Sequence, residues 1–245
     1  MVDCLDENAG KVVAALDKKG LRQNTLILFH SDNGGTRNKM FTGQMADVSR
    51  ITLPCDNGPY RDGKGSLFEG GCRVCALANW PGHIQPQTVN GVIHAVDLYP
   101  TFAALAGAST AKCKPLDGMN VWDTIALGKP SPRTEFIYNV EPFRGAVRQG
   151  DWKLIWRTML PSSVDLYDLA EDPYETNNVA AAHPQKVAAM QQRLEAAGRE
   201  SVKPLALIYI MQTAMKATIP LLPTDEAYYT DTGDDPTPPK IGTAH

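Results

Sequence analysis

"LILFHSDNGG", Leu26 to Gly35, is an apolar run that stops at a serine, an aspartate, an asparagine and two glycines. Four consecutive apolar residues, Leu26 to Phe29, predict a β-strand covered on both faces, as in a parallel sheet. Ahead of it, Asp3 to Lys19 places Leu5, Ala9, Val12, Val13 and Leu16 on one helical face, and Gly20 stands where a C-terminal cap belongs. Helix, short turn and buried strand form the rhythm of an α/β sheet. Ligands of open α/β sheets bind beyond the carboxyl ends of the strands, which is where Asp32 and Asn33 fall. A carboxylate and an amide are hard oxygen donors that suit calcium or magnesium, not zinc. Two donors are too few for calcium, so the other ligands must come from elsewhere. Read alone, the stretch fits a strand-to-loop turn built on Asp-Asn-Gly better than a site.

The rest of the composition narrows the classes. The chain has 245 residues, 43% hydrophobic and 21% charged, with a formal net charge of -3. That is ordinary globular composition for one large domain, or one domain plus a smaller one, and it argues against a basic nucleic-acid surface. No stretch is apolar for long enough to predict a transmembrane helix, and the first residues do not read as a secretory leader. The cysteines, Cys4, Cys55, Cys72, Cys75 and Cys113, are five in number. Cys72 and Cys75 form a lone CxxC with no second pair, so buried or free thiols are the expected reading.

"NGPYRDGKGSLFEGGCRV", Asn57 to Val74, is the second cluster. Lys64 lies between two glycines, which leaves its ammonium room to approach a ligand, and Arg61 is near in sequence. Cations beside a metal suit an anionic ester oxygen; the plainer alternative is a solvated glycine-rich loop. Glu69 is expected to pair with Arg61 or Arg73 structurally. His94 suits either a general acid or a satisfied structural histidine, the second being the better fit. His30 lies inside the sheet or near the site, and Tyr60 and Trp80 are candidate pocket walls.

Further along, Cys72 to Gly82 predicts a second strand. A helix is expected from about Leu98 with Phe102, Leu105 and Ala106 inward, and a short one in "PLDGMNVWDTIAL". "GKPSPRTE", Gly128 to Glu135, is the best linker. After it, "EFIYNV", "GAVRQGDWKLIWR" and "SVDLYDL" read as antiparallel strands with turns between them. Pro184 to Ala197 reads as a helix with Val187, Met190 and Leu194 inward and Gly198 at its cap. The expected organisation is an α/β region over residues 1–130, an antiparallel subdomain with a helix over 131–204, and an extra, partly disordered tail over 205–245.

In order, "LILFHSDNGG", "GPYRDGKGSLFEGGCRV", "WPG", "IHAVDLYPTFAALAG", "KPLDGMNVWDTI", "AVRQGDWKLI" and "LYDLAEDPYETNNVA" resemble the later half of a type I sulfatase, most closely the arylsulfatase B type. The resemblance spans roughly Met1 to Lys203. It implies an alkaline-phosphatase-like mixed sheet with flanking helices, incomplete here, plus a small antiparallel C-terminal subdomain. It implies that Asp32 and Asn33 are the later pair of calcium ligands, with magnesium as the other candidate, and that Lys64 contacts the sulfate ester. Substrates of the family are aryl sulfates or sulfated sugars, and its members are often secreted, periplasmic or lysosomal.

The sequence departs from the family in a decisive way. No Cys or Ser begins the C/S-x-P/A-x-R motif that yields the formylglycine nucleophile, and the early aspartate pair, Lys and His have no counterpart. It reads as opening about halfway through the family pattern, so the chain alone is expected to be inactive. A missing N-terminal half, or another chain, would cover the edge left by the absent strands. Two other readings stay open: a non-catalytic binding or assembly module, and a related hydrolase with Ser31 as nucleophile.

Overall fold

The computed structural model of the chain describes residues 2–37, 55–141 and 143–201. Met1–Arg199 form one compact unit, which holds every described strand, and Glu200–His245 form a second. The expected tail over 205–245 lies outside the described residues.

The first unit opens with α1 (Val2–Lys18) and β1 (Ile27–His30). Next come α2 (Glu69–Cys72), β2 (Ala76–Asn79), α3 (Leu98–Leu105) and α4 (Trp122–Leu127). Then four strands run in succession: β3 (Glu135–Glu141), β4 (Arg144–Gln149), β5 (Trp152–Arg157) and β6 (Ser163–Asp168). The last element among the described residues is α5 (Pro184–Glu200). Among the described residues no helix is long and apolar enough to cross a membrane.

The four late strands form an antiparallel meander in the order β3-β4-β5-β6, as their hairpin spacing predicts. Ala146 stands opposite Ile155 and Leu154 opposite Leu166, so alternate residues serve two faces. One face gathers Ala146, Ile155 and Tyr167 with Leu67, Phe68 and Leu169. The other gathers Val147, Leu154 and Leu166 with Met190 and Leu194 of α5. The sheet is therefore covered on both sides, by α5 and by the segment before α2. Helix α5 runs through Gly198 to Glu200, so Gly198 is not the expected cap; one glycine costs only about 1 kcal/mol inside a helix whose apolar face is already packed.

The first strand departs from its expectation. It pairs antiparallel with β2, Ile27 opposite Asn79 and His30 opposite Ala76, in a two-stranded ribbon. None of its residues is buried, and Phe29 is 43% exposed. A two-stranded ribbon among the described residues offers no second layer to cover an apolar strand. The apolar face of α1 is likewise open, with Leu5 and Val12 exposed. In α3 the buried residue is Thr101, not Phe102 or Ala106, because the Thr101 hydroxyl donates to the Asp97 carbonyl at 2.6 Å and accepts from the Val121 amide at 3.0 Å.

Candidate functional site

Two segments build a cleft of about 340 Å³ lined by Ser31, Asp32, Asn33, Gly34, Gly35, Thr36 and Lys64. The turn after β1 is held by backbone bonds: Ser31 N–H to Cys75 C=O at 3.2 Å and Gly34 N–H to Gly71 C=O at 3.0 Å. Gly34 lies so close to α2 that a Cβ there would stand 1.7 Å from the Gly70 carbonyl oxygen, which is why only glycine fits. The Asn57 side chain bridges the two segments. Its Oδ1 accepts from the Gly35 amide and its Nδ2 donates to the Gly35 carbonyl, both at 2.8 Å, and to the Asp62 carbonyl at 2.9 Å. The Lys64 amide completes the join with a 3.1 Å bond to the Gly35 carbonyl.

The structure thus brings Asp32, Asn33 and Lys64 to one cleft. Asn33 Nδ2 donates to Asp32 Oδ2 at 2.5 Å, and Ser31 Oγ donates to the Asn33 carbonyl at 2.8 Å. Asp32 and Lys64 are exposed and Asn33 is half-buried. The donor chemistry suits a hard divalent cation as two ligands of a larger shell. Among the described residues no group of three or more His, Cys, Asp or Glu side chains could hold a metal. The Ser31 hydroxyl is engaged by the Asn33 backbone rather than by a base.

The loop bearing Lys64 leans on the four-stranded sheet. Arg61 Nη1 donates to the Glu175 carbonyl at 2.8 Å and to the Tyr167 hydroxyl at 3.1 Å, with its guanidinium 4.0 Å over the Phe68 ring. Arg73 lies 4.8 Å over the Tyr60 ring. Glu69 therefore pairs with neither. Its partner is Lys153 of β5, with Nζ 2.8 Å from Glu69 Oε1, because the inward face of the sheet supplies the only cation that reaches a buried α2 N-terminus among the described residues besides Arg148, at 3.9 Å. Sequence reasoning missed Lys153 and Glu175. The one signal was a lysine placed inside the apolar run "WKLIW".

His94 lies away from this cleft's lining. Its Nδ1 accepts from the Val96 amide at 3.2 Å, and its ring stacks on Phe136 at 5.9 Å. Burial, then the nearby Arg133 cation, hold its pKa below the usual histidine value. His30 is exposed, with Nδ1 2.8 Å from the Ser31 carbonyl oxygen. Trp80 donates to the Gln23 carbonyl at 3.0 Å and packs edge-on against Trp122, so it is a packing residue. Tyr60 faces Tyr174 across 6.3 Å, and Tyr174 lines a second cleft of about 430 Å³ with Pro59, Arg61, Glu175 and Thr176. All five cysteines are free. Burial pushes the Cys72 thiol's pKa up, against the opposite pull of Lys153.

The sulfatase family model matches residues 1–108, and the model described as N-sulphoglucosamine sulphohydrolase, C-terminal, matches residues 61–200. The chain belongs to the sulfatase family and corresponds to the C-terminal portion of its relatives. It is 34% identical to arylsulfatase A of Homo sapiens over 217 residues, which is 77% of this chain and 40% of that protein. It is 29% identical to an N-acetylgalactosamine-6-O-sulfatase of Bacteroides thetaiotaomicron over 205 residues, 78% of this chain and 40% of that protein. The solved structure of Ps i-CgsB in complex with k-i-k-neocarrahexaose superposes with a TM-score of 0.67 at 31% identity, over 81% of this chain and 42% of that one. The chain spans less than half the length of these relatives, and its fold is part of the alkaline-phosphatase-like fold of sulfatases.

Proposed function

We propose that this chain is the portion of a sulfuric ester hydrolase that presents two calcium ligands, Asp32 and Asn33, and a sulfate-contacting cation, Lys64. One observation carries the reading: all three residues line the same cleft although they come from two separate segments. Magnesium is the second candidate ion. Bound there, the ion would neutralise negative charge on the ester oxygens.

The chain's own residues supply position and charge. Asp32 and Asn33 are held at the end of β1 by the Gly34 contact with α2. Lys64, exposed at the cleft mouth and fixed through its amide, directs three N–H donors at the non-bridging oxygens where charge develops. The nucleophile and the remaining metal ligands come from a preceding segment or another chain. The open faces of α1, β1 and β2 fit such a neighbour, since Leu5, Val12, Phe29 and Leu77 are all exposed. Aryl sulfates and sulfated sugars are the expected substrates, as the names of the relatives suggest.

Joined to a preceding segment that carries C/S-x-P/A-x-R, the chain is expected to hydrolyse 4-nitrocatechol sulfate in a calcium-dependent way. Lys64→Ala should lower kcat by about 10²–10³-fold. Full activity in Lys64→Ala and Asp32→Ala, or none in the parent, overturns the reading. The same exposed apolar faces favour one other reading, a non-catalytic sulfatase-like binding or assembly module. Light scattering that shows stable complexes while the joined protein stays inactive would support it.

A further inference from the structure

Three ionisable side chains, Glu69, Lys153 and Glu175, lie in the interior, where the proposed sulfate chemistry makes no use of them. Lys153 and Glu175 are 0% exposed and Glu69 is 3% exposed. Lys153 Nζ stands 2.8 Å from Glu69 Oε1 and 2.9 Å from Glu175 Oε1. Glu175 Oε2 accepts from the Glu69 amide at 2.5 Å, so the triad closes through the N-terminus of α2. A buried ion cluster is a poor source of net stability, because apolar side chains of similar volume do as well or better. What charges and directed bonds add is a single geometry.

We infer that the buried Glu69–Lys153–Glu175 triad is a positioning device that sets where Lys64 stands relative to Asp32 and Asn33, an inference that rests on reading Lys64 as the sulfate-contacting residue. The loop is fastened to the sheet on both sides of Lys64. Before it, Arg61 donates to the Tyr167 hydroxyl of β6 and to the Glu175 carbonyl beyond that strand. After it, Arg144 Nη1 donates to the Gly65 carbonyl at 2.7 Å, and Glu69 enters the triad. The Lys64 amide meanwhile bonds to Gly35, in the turn that carries Asp32 and Asn33. The sheet therefore fixes the loop and the loop fixes the turn, which leaves the exposed Lys64 side chain to reach into the cleft from a set backbone. If the triad loosens, the cation and the two oxygen donors lose their common frame while the sheet itself remains.

Residue-resolved amide exchange and titration with inorganic sulfate, both on the full chain, test this. The variants are Lys153→Met, Glu175→Gln, Arg144→Ala at a half-buried position, and the charge-free triple Glu69→Gln, Lys153→Met, Glu175→Gln. In Lys153→Met and the triple variant, exchange of the Lys64 and Gly34 amides should quicken about tenfold or more, while Val147 and Leu154 amides in the sheet change less than about twofold. Half-saturation by sulfate, read at the Gly35 and Gly65 amides, should move to about tenfold higher concentration. Glu175→Gln and Arg144→Ala should give smaller changes in the same sense. If Lys153→Met does not fold, the triple variant decides, because it removes the triad's charges together and leaves Arg148, which loses Glu69, with Asp151 at 3.9 Å; if neither folds, Glu175→Gln alone decides, because it leaves Lys153 paired with Glu69. Uniformly faster exchange across sheet and loop, or wild-type exchange and sulfate response in the deciding variant, overturns the inference. A sulfate response that survives Lys64→Ala overturns the reading of Lys64 instead, so the two failures are distinguishable.

Discussion

Asp97→Ala is expected to be among the most damaging single changes in the chain. Asp97 is 0% exposed, and its carboxylate accepts four hydrogen bonds. The Arg133 guanidinium donates to it twice, through Nε at 2.8 Å and Nη2 at 2.5 Å. The His94 amide donates at 2.8 Å and the Met119 amide at 2.9 Å. One carboxylate thus gathers three stretches of chain around the start of α3. Removing it leaves a guanidinium that is only 9% exposed without its counter-charge, which costs about 3–5 kcal/mol. For a unit of this size that is a fall in Tm of about 6–20 °C. Urea unfolding followed by circular dichroism measures the loss. The double variant Asp97→Ala, Arg133→Met should recover part of it, since the stranded charge is then gone. A loss below about 1 kcal/mol, or a double variant no more stable than the single, refutes the reasoning. Burial pushes the Asp97 carboxyl up, but Arg133 and the two backbone N–H groups outweigh it and hold its pKa below the usual value. A depressed carboxylate stabilises above its unfolded pKa of about 3.9, and that contribution is lost as pH falls through the lower folded value.

Gly34→Ala would drive a methyl against the Gly70 carbonyl oxygen, so the turn after β1 must shift; about 1–3 kcal/mol of stability and the protection of the Gly34 amide should be lost, as thermal unfolding and amide exchange would show. His94 carries the opposite pH signature to a paired histidine. With its folded pKa below about 6.5, its contribution is complete above that value and is lost as pH falls further, so urea midpoints should drop from pH 7 to pH 5 and His94→Gln should flatten that slope. An unchanged slope would remove His94 from the account.

Local pattern carries much of the fold. The four late strands and α5 are legible because hairpins and an amphipathic helix are written in near neighbours: alternation of period 2 in "GAVRQGDWKLIWR", and Val187, Met190 and Leu194 on one helical face. Turn chemistry and donor type likewise single out Asp32, Asn33 and Lys64 as candidates, and the structure sets them around one cleft. The departures share a cause. An apolar run reports that a strand could be covered, not that anything covers it, so β1 reads as a buried parallel strand where an open antiparallel ribbon stands. The same holds for α3, whose apolar Phe102 is 41% exposed while a threonine is buried.

By itself the sequence determined the order of the described elements and the family, because each is a property of residue types and their spacing. Tertiary structure alone decided which groups meet. Lys153 and Glu175 stand 84 and 106 positions from Glu69, and no periodicity links the three. They come together because β4 and β5 present one face to the segment before α2, and a charge in that interior must find a partner or leave it. Lys64 and Asp32 are likewise neighbours only because Asn57 and two close-packed glycines fold one loop against the end of β1.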